Sequence, residues 1–259
     1  MEEFRITPPI VQSAMAGISD KNFCQKLLNI GMGMVILGGY SIDEICEEGT
    51  KEIIKRGRKE TLIPLNLSEF EKWAKKNAQL QKKNPNQIVG INLRLASINQ
   101  AVIKRLATLR KHVDVLEINA HCRQPEILAY GGGQALLSDL HSFEDILQKI
   151  RGVLQKEDIG IKIRGYILEK KQSFIEISEK YHLKYIHIDC MEPGEDKANI
   201  KLINDFSSIT NIPVIGNNSV RNIKNIEDMI KAGAVAVSIA RPLIKNTKYV
   251  EKLIKNLEV

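Results

Sequence analysis

The 259-residue sequence is notable first for what it lacks. No run approaches the roughly 18 uninterrupted apolar residues that a membrane span requires, so no membrane partner is expected. The opening MEEFRITPPI has acids where a signal peptide has bases, and it has no apolar core. A cytoplasmic location is therefore expected. Cysteine is scarce: Cys24, Cys46, Cys122 and Cys190 lie far apart with no CxxC pair, which argues against a disulfide framework or a zinc knuckle. His121, Cys122 and His187 form no recognisable ligand spacing, so no metal site is expected. No GxGxxG follows the first apolar run and no GxxxxGK[ST] occurs, which disfavours an open doubly wound nucleotide-binding sheet. Low-complexity segments, Pro/Gly/Ser linkers and short-period repeats are absent too. One domain spanning 1–259 is expected.

What is present is rhythm. With 43% hydrophobic and 27% charged residues, the chain is long enough to bury a large core. Eight apolar, mostly β-branched runs recur, at 10–14, 34–38, 88–93, 115–120, 159–165, 185–190, 212–217 and 235–240. Between and after them lie helix-length segments at 20–30, 69–82, 98–111, 143–154, 169–181, 200–208, 223–232 and 245–257. Near-continuous apolar strands alternating with helices predict a parallel sheet covered by helices. Eight such units in about 250 residues is the arithmetic of a (β/α)8 TIM barrel. A ninth apolar run, LIPLNL at 62–67, falls in an excursion between the second and third strands. Ser68 with Glu71 has the spacing of a capping box, and Ser142 stands just before Phe143 as a second N-cap candidate. The net charge of +7 suits a polyanionic partner. The basic runs at 51–59 and 75–83 read as solvated helix faces.

In such a barrel the reactive groups gather at the C-terminal ends of the strands. Those ends carry Ser13 to Gly17, Asn92 and Arg94, Asn119 to Arg123, Lys162 and Arg164, His187 and Asp189, Gly216 to Ser219, and Ala240-Arg241. The turns at Gly216-Asn217-Asn218 and Ala240-Arg241 suit a phosphate, because backbone N–H groups near helix starts attract anions. Lys162 lies mid-strand in an apolar run, where an ammonium is costly unless it meets something electron-rich. His187 shares a strand face with Asp189. Cys122 has flanks too polar for a core position, and basic neighbours tune a thiol downward from about 8.5.

These motifs, in this order from Ser13 to Leu243, resemble the flavin-dependent tRNA dihydrouridine synthases and their dihydroorotate-dehydrogenase-like relatives, and most of all an archaeal group of TIM-barrel proteins related to them. Ser13-Ala14-Met15-Ala16-Gly17 is similar to the strand-one motif whose backbone meets the flavin. Leu116 to Cys122 resembles the strand-four motif ending in the catalytic cysteine, followed by Gly131-Gly132-Gly133-Gln134-Ala135-Leu136-Leu137. Lys162-Ile163-Arg164 matches the flavin-facing lysine motif, and His187 the strand-six histidine. The resemblance implies bound FMN, with Ala14, Met15, Ala16, Asn92, Asn119, Lys162, His187, Gly216, Asn217, Asn218, Ala240 and Arg241 as cofactor residues. It also implies Cys122, Lys162 and His187 as catalytic residues. Cys122 is then the proton donor to a C=C of a pyrimidine-like ring, Lys162 steadies charge at the N1/O2 edge of the flavin, and His187 with Asn92 orients the ring. The electron donor is a nicotinamide or another reductant.

Several departures bear on the substrate. Arg123-Gln124 intervene before Pro125, where the synthases place proline directly after the cysteine. The second strand ends in Gly38-Gly39-Tyr40 instead of supplying a glutamate, and His187 is followed by Ile188-Asp189 instead of Gly-Arg. Only 17 residues follow Pro242, so the C-terminal helical tRNA-binding domain is expected to be lacking. Three alternatives stay open: a flavin enzyme acting on a small molecule, a flavin-free phosphate-binding barrel isomerase or lyase using Asp189 and Glu192, and an idle binding protein.

Overall fold

The computed structural model describes residues 4–154 and 159–257; the ends of the expected 1–259 unit lie outside them. Eight strands form the barrel: β1 (Ile10–Gln12), β2 (Met34–Ser41), β3 (Ile88–Arg94), β4 (Val115–Ala120), β5 (Ile159–Arg164), β6 (Ile186–Asp189), β7 (Val214–Asn217) and β8 (Ala234–Ile239). Each pairs in parallel with its sequence neighbour, and β1 closes on β8 with Val11 opposite Ser238. This is the expected (β/α)8 TIM barrel. The helices are α1 (Lys21–Asn29), α2 (Glu44–Lys55), α3 (Leu67–Asn77), α4 (Gln100–Arg110), α5 (Pro125–Ala129), α6 (Leu140–Arg151), α7 (Lys171–Lys180), α8 (Lys201–Ser207), α9 (Ile223–Lys231), α10 (Pro242–Lys245) and α11 (Thr247–Leu257).

Strand alternation sorts the side chains into two cores. Outward residues such as Ile161, Ile163, Ile186 and Ile188 pack against the helices. There Phe143 stacks on Phe174 with ring centroids 6.0 Å apart, and Phe174 meets Phe206 edge-on at 6.5 Å. Inward residues Val11, Met34, Ile36, Val115, Tyr185, Ile215 and Ala236 form a separate apolar plug in the lower barrel. Gly160 makes room for that plug: a Cβ there would lie 2.3 Å from the Tyr185 ring. Large and small inward residues on neighbouring strands thus fill one layer, and the next inward layer above the plug is mostly polar.

The excursion between β2 and β3 holds α2 and α3. Helix α2 overlaps the run 51–59 that reads as a solvated helix face, but its first half, from Glu44, has no counterpart among the expected helices. Its Gly49 weakens the helical signal, yet the structure needs it, since a Cβ there would sit 2.8 Å from the Glu126 carbonyl. That close approach seats α2 on α5. LIPLNL is irregular chain leading into α3, with Ile63 buried. Neither expected serine cap is used. Helix α3 starts earlier, with Asn66 accepting from the N–H groups of Ser68 and Glu69. Helix α6 is capped by Asp139, which accepts from His141 N–H and from the Ser142 hydroxyl. Among the described residues no helix is long and apolar enough to cross a membrane.

Candidate active site

Directly above the apolar plug, the inward positions become Ser13, Asn92, Glu117, Lys162, His187, Asn217 and Ser238, each buried. Register aligns Lys162 with His187, and one step higher Arg164 with Asp189. This polar layer is joined by directional hydrogen bonds. Asn119 Oδ1 accepts from the N–H groups of His121 and Cys122 at 3.1 and 2.8 Å. Its Nδ2 therefore donates to Asn92 Oδ1 at 2.7 Å, and Asn92 Nδ2 donates to Glu117 Oε1 at 2.7 Å. Glu117 Oε2 receives the Tyr185 hydroxyl at 3.1 Å and His187 Nδ1 at 2.8 Å. His187 Nε2 lies 2.6 Å from Ser238 Oγ, which accepts from Asn217 Nδ2 at 2.5 Å. Gly39 permits this crossing of amides, because a Cβ there would come within 2.6 Å of Asn92 Oδ1.

Charge states follow from this wiring. Burial opposes ionisation of Glu117, but His187, Lys162 and Asn92 hold its carboxyl below the ordinary value. Burial and the nearby Lys162 push the His187 imidazole down. The pair is thus a carboxylate receiving the Nδ1–H of a neutral ring. Burial also lowers Lys162, against the pull of Glu117 and Asp189. Its Nζ donates to Ser13 Oγ.

Over this layer opens a cavity of about 1090 Å³, ample for a cofactor and a substrate together. Most of the residues expected from sequence meet here. Ala14, Met15 and Ala16 from the β1 end, Asn92, Asn119 and Cys122 line one side. Lys162, Asn217, Asn218, Ala240 and Arg241 line the other. Two do not. Gly216 is the outward residue of its strand, and a Cβ there would meet Ile203 at 2.7 Å and Met229 at 3.1 Å; its small size seats α8 and α9 on the barrel. His187 is fully buried beneath the cavity, with both ring nitrogens engaged by Glu117 and Ser238, so it orients no ring directly.

The upper rim joins the strand-end residues Asp189, His121, Arg164, Asn218 and Arg94, and adds Glu60, which no strand end announces. Asp189 takes His121 Nε2 at 2.7 Å and Arg164 at 2.9 Å on one oxygen, and Asn218 Nδ2 at 2.9 Å and Met191 N–H at 3.1 Å on the other. Despite burial, these donors hold it well below the usual carboxylate range. Glu60, from the excursion, pairs with Arg94 at 2.5 Å, both side chains 2% exposed. A carboxylate thus reaches the mouth although β2 carries Gly38-Gly39 toward its end. Asn218 and Ser219 adopt left-handed backbone, with φ of 91° and 55°. Glu117 was visible in sequence as the residue two before Asn119 on the same face; Glu60 had no such signal.

Comparison with known proteins agrees with this geometry. Residues 14–257 match the family model for dihydrouridine synthase. The chain is 32% identical to an uncharacterized protein of Methanocaldococcus jannaschii over 254 residues, covering 97% of this chain and 95% of that one. It is 22% identical over 140 residues to a probable tRNA-dihydrouridine synthase of Helicobacter pylori, covering 52% of this chain and 42% of that protein. Similar folds include a dihydroorotate dehydrogenase (DHODH) of Eimeria tenella crystallised with ferulenol, with a TM-score of 0.66, 14% identity and coverage of 96% and 80%. Another is TcOYE with pHBA, with a TM-score of 0.67, 11% identity and coverage of 96% and 89%. The chain belongs to the dihydrouridine synthase family.

Proposed function

We propose that the protein is an FMN-dependent oxidoreductase that acts on a C=C bond of a uracil-like ring, with Cys122 as proton donor. The observation that carries this reading is a buried ammonium, Lys162, and a free thiol, Cys122, in the wall of one cavity in a chain of this family.

The residues fit FMN. An ammonium has three donors, and Lys162 spends one on Ser13, leaving two for the acceptor-rich edge of a flavin. Arg241, unpaired among the described residues, and the left-handed turn Asn218-Ser219 stand at the β7–β8 rim and suit the phosphate end. Ala14, Met15 and Ala16 offer small or flexible side chains where a planar ring approaches the backbone.

Bound FMN supplies the hydride that reduces one carbon of the C=C. Cys122 gives its proton to the neighbouring carbon and is reprotonated from solvent, so the ring gains one hydride and one proton. Lys162 balances negative charge at the flavin edge inside a water-poor cavity, where such a charge acts strongly. Asn92 and Asn119 line the cavity in which the ring would lie, their amides held in one orientation by the chain of bonds ending at Glu117. The substrate is free uracil or a nucleotide, or uridine within tRNA; the electron donor is a nicotinamide or another reductant.

The test is reoxidation of the reduced, FMN-loaded protein under anaerobic conditions by uracil compounds and by unmodified tRNA. Reoxidation by at least one of them, lost in Cys122→Ala with FMN retained, supports the reading. Full reoxidation by the Cys122→Ala variant contradicts the role of the thiol.

A further inference from the structure

His121 directly follows the last residue of β4, one inward step beyond Asn119, and it lines the cavity. Its backbone is pinned on both sides: its N–H donates to Asn119 Oδ1 at 3.1 Å, and its carbonyl accepts from Arg164 Nε at 3.1 Å. The ring is anchored by Nε2, 2.7 Å from Asp189 Oδ2. Asp189 collects three further donors, from Arg164, Asn218 and the Met191 backbone. A carboxylate so surrounded is ionised, and an ionised carboxylate only accepts. Nε2 therefore carries the ring hydrogen and Nδ1 is bare. Nδ1 has no protein partner among the described residues, and the side chain remains 24% exposed in the cavity wall.

We propose that Nδ1 of His121 is a specificity-determining acceptor that receives an N–H of the substrate, so that the site selects amide- or imide-bearing rings with that N–H free. This rests on the cavity being the substrate site. The surrounding charges narrow the donor. Lys162 and Arg164 on β5 repel a cationic donor, which leaves a neutral one. A hydroxyl can rotate to accept from a neighbouring cation instead, whereas an amide N–H must donate. Asp189 is the positioning residue: it fixes the tautomer and never needs to touch the substrate. Burial, together with Lys162 and Arg164, holds the imidazole down at about 4 against Asp189, so Nδ1 stays an acceptor at neutral pH.

The first measurement is the 15N spectrum of the His121 ring in the wild-type protein at neutral pH. The expected result is the Nε2–H tautomer with an unprotonated Nδ1, whose resonance shifts when uracil is added. The second is binding of uracil and 1,3-dimethyluracil to the FMN-loaded protein, followed through the flavin absorption. Uracil is expected to bind about tenfold tighter, the scale of one lost hydrogen bond, and His121→Phe is expected to erase that preference. An Nδ1–H tautomer, or equal affinities in the wild type, overturns the assignment. If His121→Phe does not fold, the tautomer and the wild-type affinities decide. A folded protein that cannot retain FMN overturns the oxidoreductase reading instead, while the tautomer measurement still judges His121.

Discussion

Glu117 and His187, seventy residues apart in the chain, meet inside the barrel with Oε2 and Nδ1 2.8 Å apart and neither side chain exposed. One carboxylate accepts from three side chains: Asn92 on β3, His187 on β6, and Tyr185 just before β6. Glu117→Gln replaces an acceptor oxygen with an amide donor facing other donors. The expected cost is about 3 kcal/mol, the upper scale for losing a charge-assisted hydrogen bond and leaving a buried donor unsatisfied, read as a lower urea midpoint. An unchanged midpoint would mean that the network does not bear on stability.

The barrel was legible because each strand is a short β-branched run buried on both faces, and because alternation puts Asn92, Asn119, Lys162, His187 and Asp189 on the inward side. Depth was not legible. Nothing in YIHIDC tells that His187 lies beneath the cavity floor while Asp189, two residues on, lines it; that depends on the register of β6 against β5 and on the height of the Tyr185 plug. The place of Gly216 is hidden from local pattern for a related reason. A glycine at a strand end suggests a turn, yet this one faces outward and its small size serves helix packing. Helix α2 and the Glu60–Arg94 pair depend on long-range contacts that no local pattern carries.

Stability should fall on acidification well above the ordinary carboxylate range. His121 is held at about 4 and His187 is also lowered from the ordinary 6.5, so the folded protein refuses protons that the unfolded chain accepts. Stability is then full above about pH 7 and declines as pH drops below about 6.5. His121 alone contributes a loss of up to about 3 kcal/mol by pH 4. Below that, Asp189 and Glu117, both held down in the fold, add to the loss. Urea midpoints from pH 8 to pH 5 check the sign, and a constant midpoint contradicts it. His121→Gln should flatten part of the decline.

Gly133 sets the position of Cys122. Its φ is 60°, and a Cβ there would lie 2.4 Å from the Cys122 carbonyl, which in turn accepts from Gln134 N–H at 3.0 Å. Gly133→Ala is expected to displace the thiol and cost about 100-fold in turnover, as small misplacements of a reacting group do, while FMN stays bound. Wild-type turnover in that variant would show the thiol's position to be uncritical.

Lys162→Met removes the ammonium and keeps most of the side-chain volume. With FMN bound, the midpoint potential is expected to become about 30 mV or more negative, equivalent to about 1.4 kcal/mol for two electrons. A potential that does not move would take Lys162 away from the flavin edge.

The central claim is that this cavity holds FMN, and the most direct measurement is the visible absorption of the purified protein after incubation with FMN and desalting. The account predicts a flavin spectrum that stays with the protein, its bands shifted from those of free FMN. A folded protein that emerges colourless would contradict it and favour a phosphate-binding barrel without flavin chemistry.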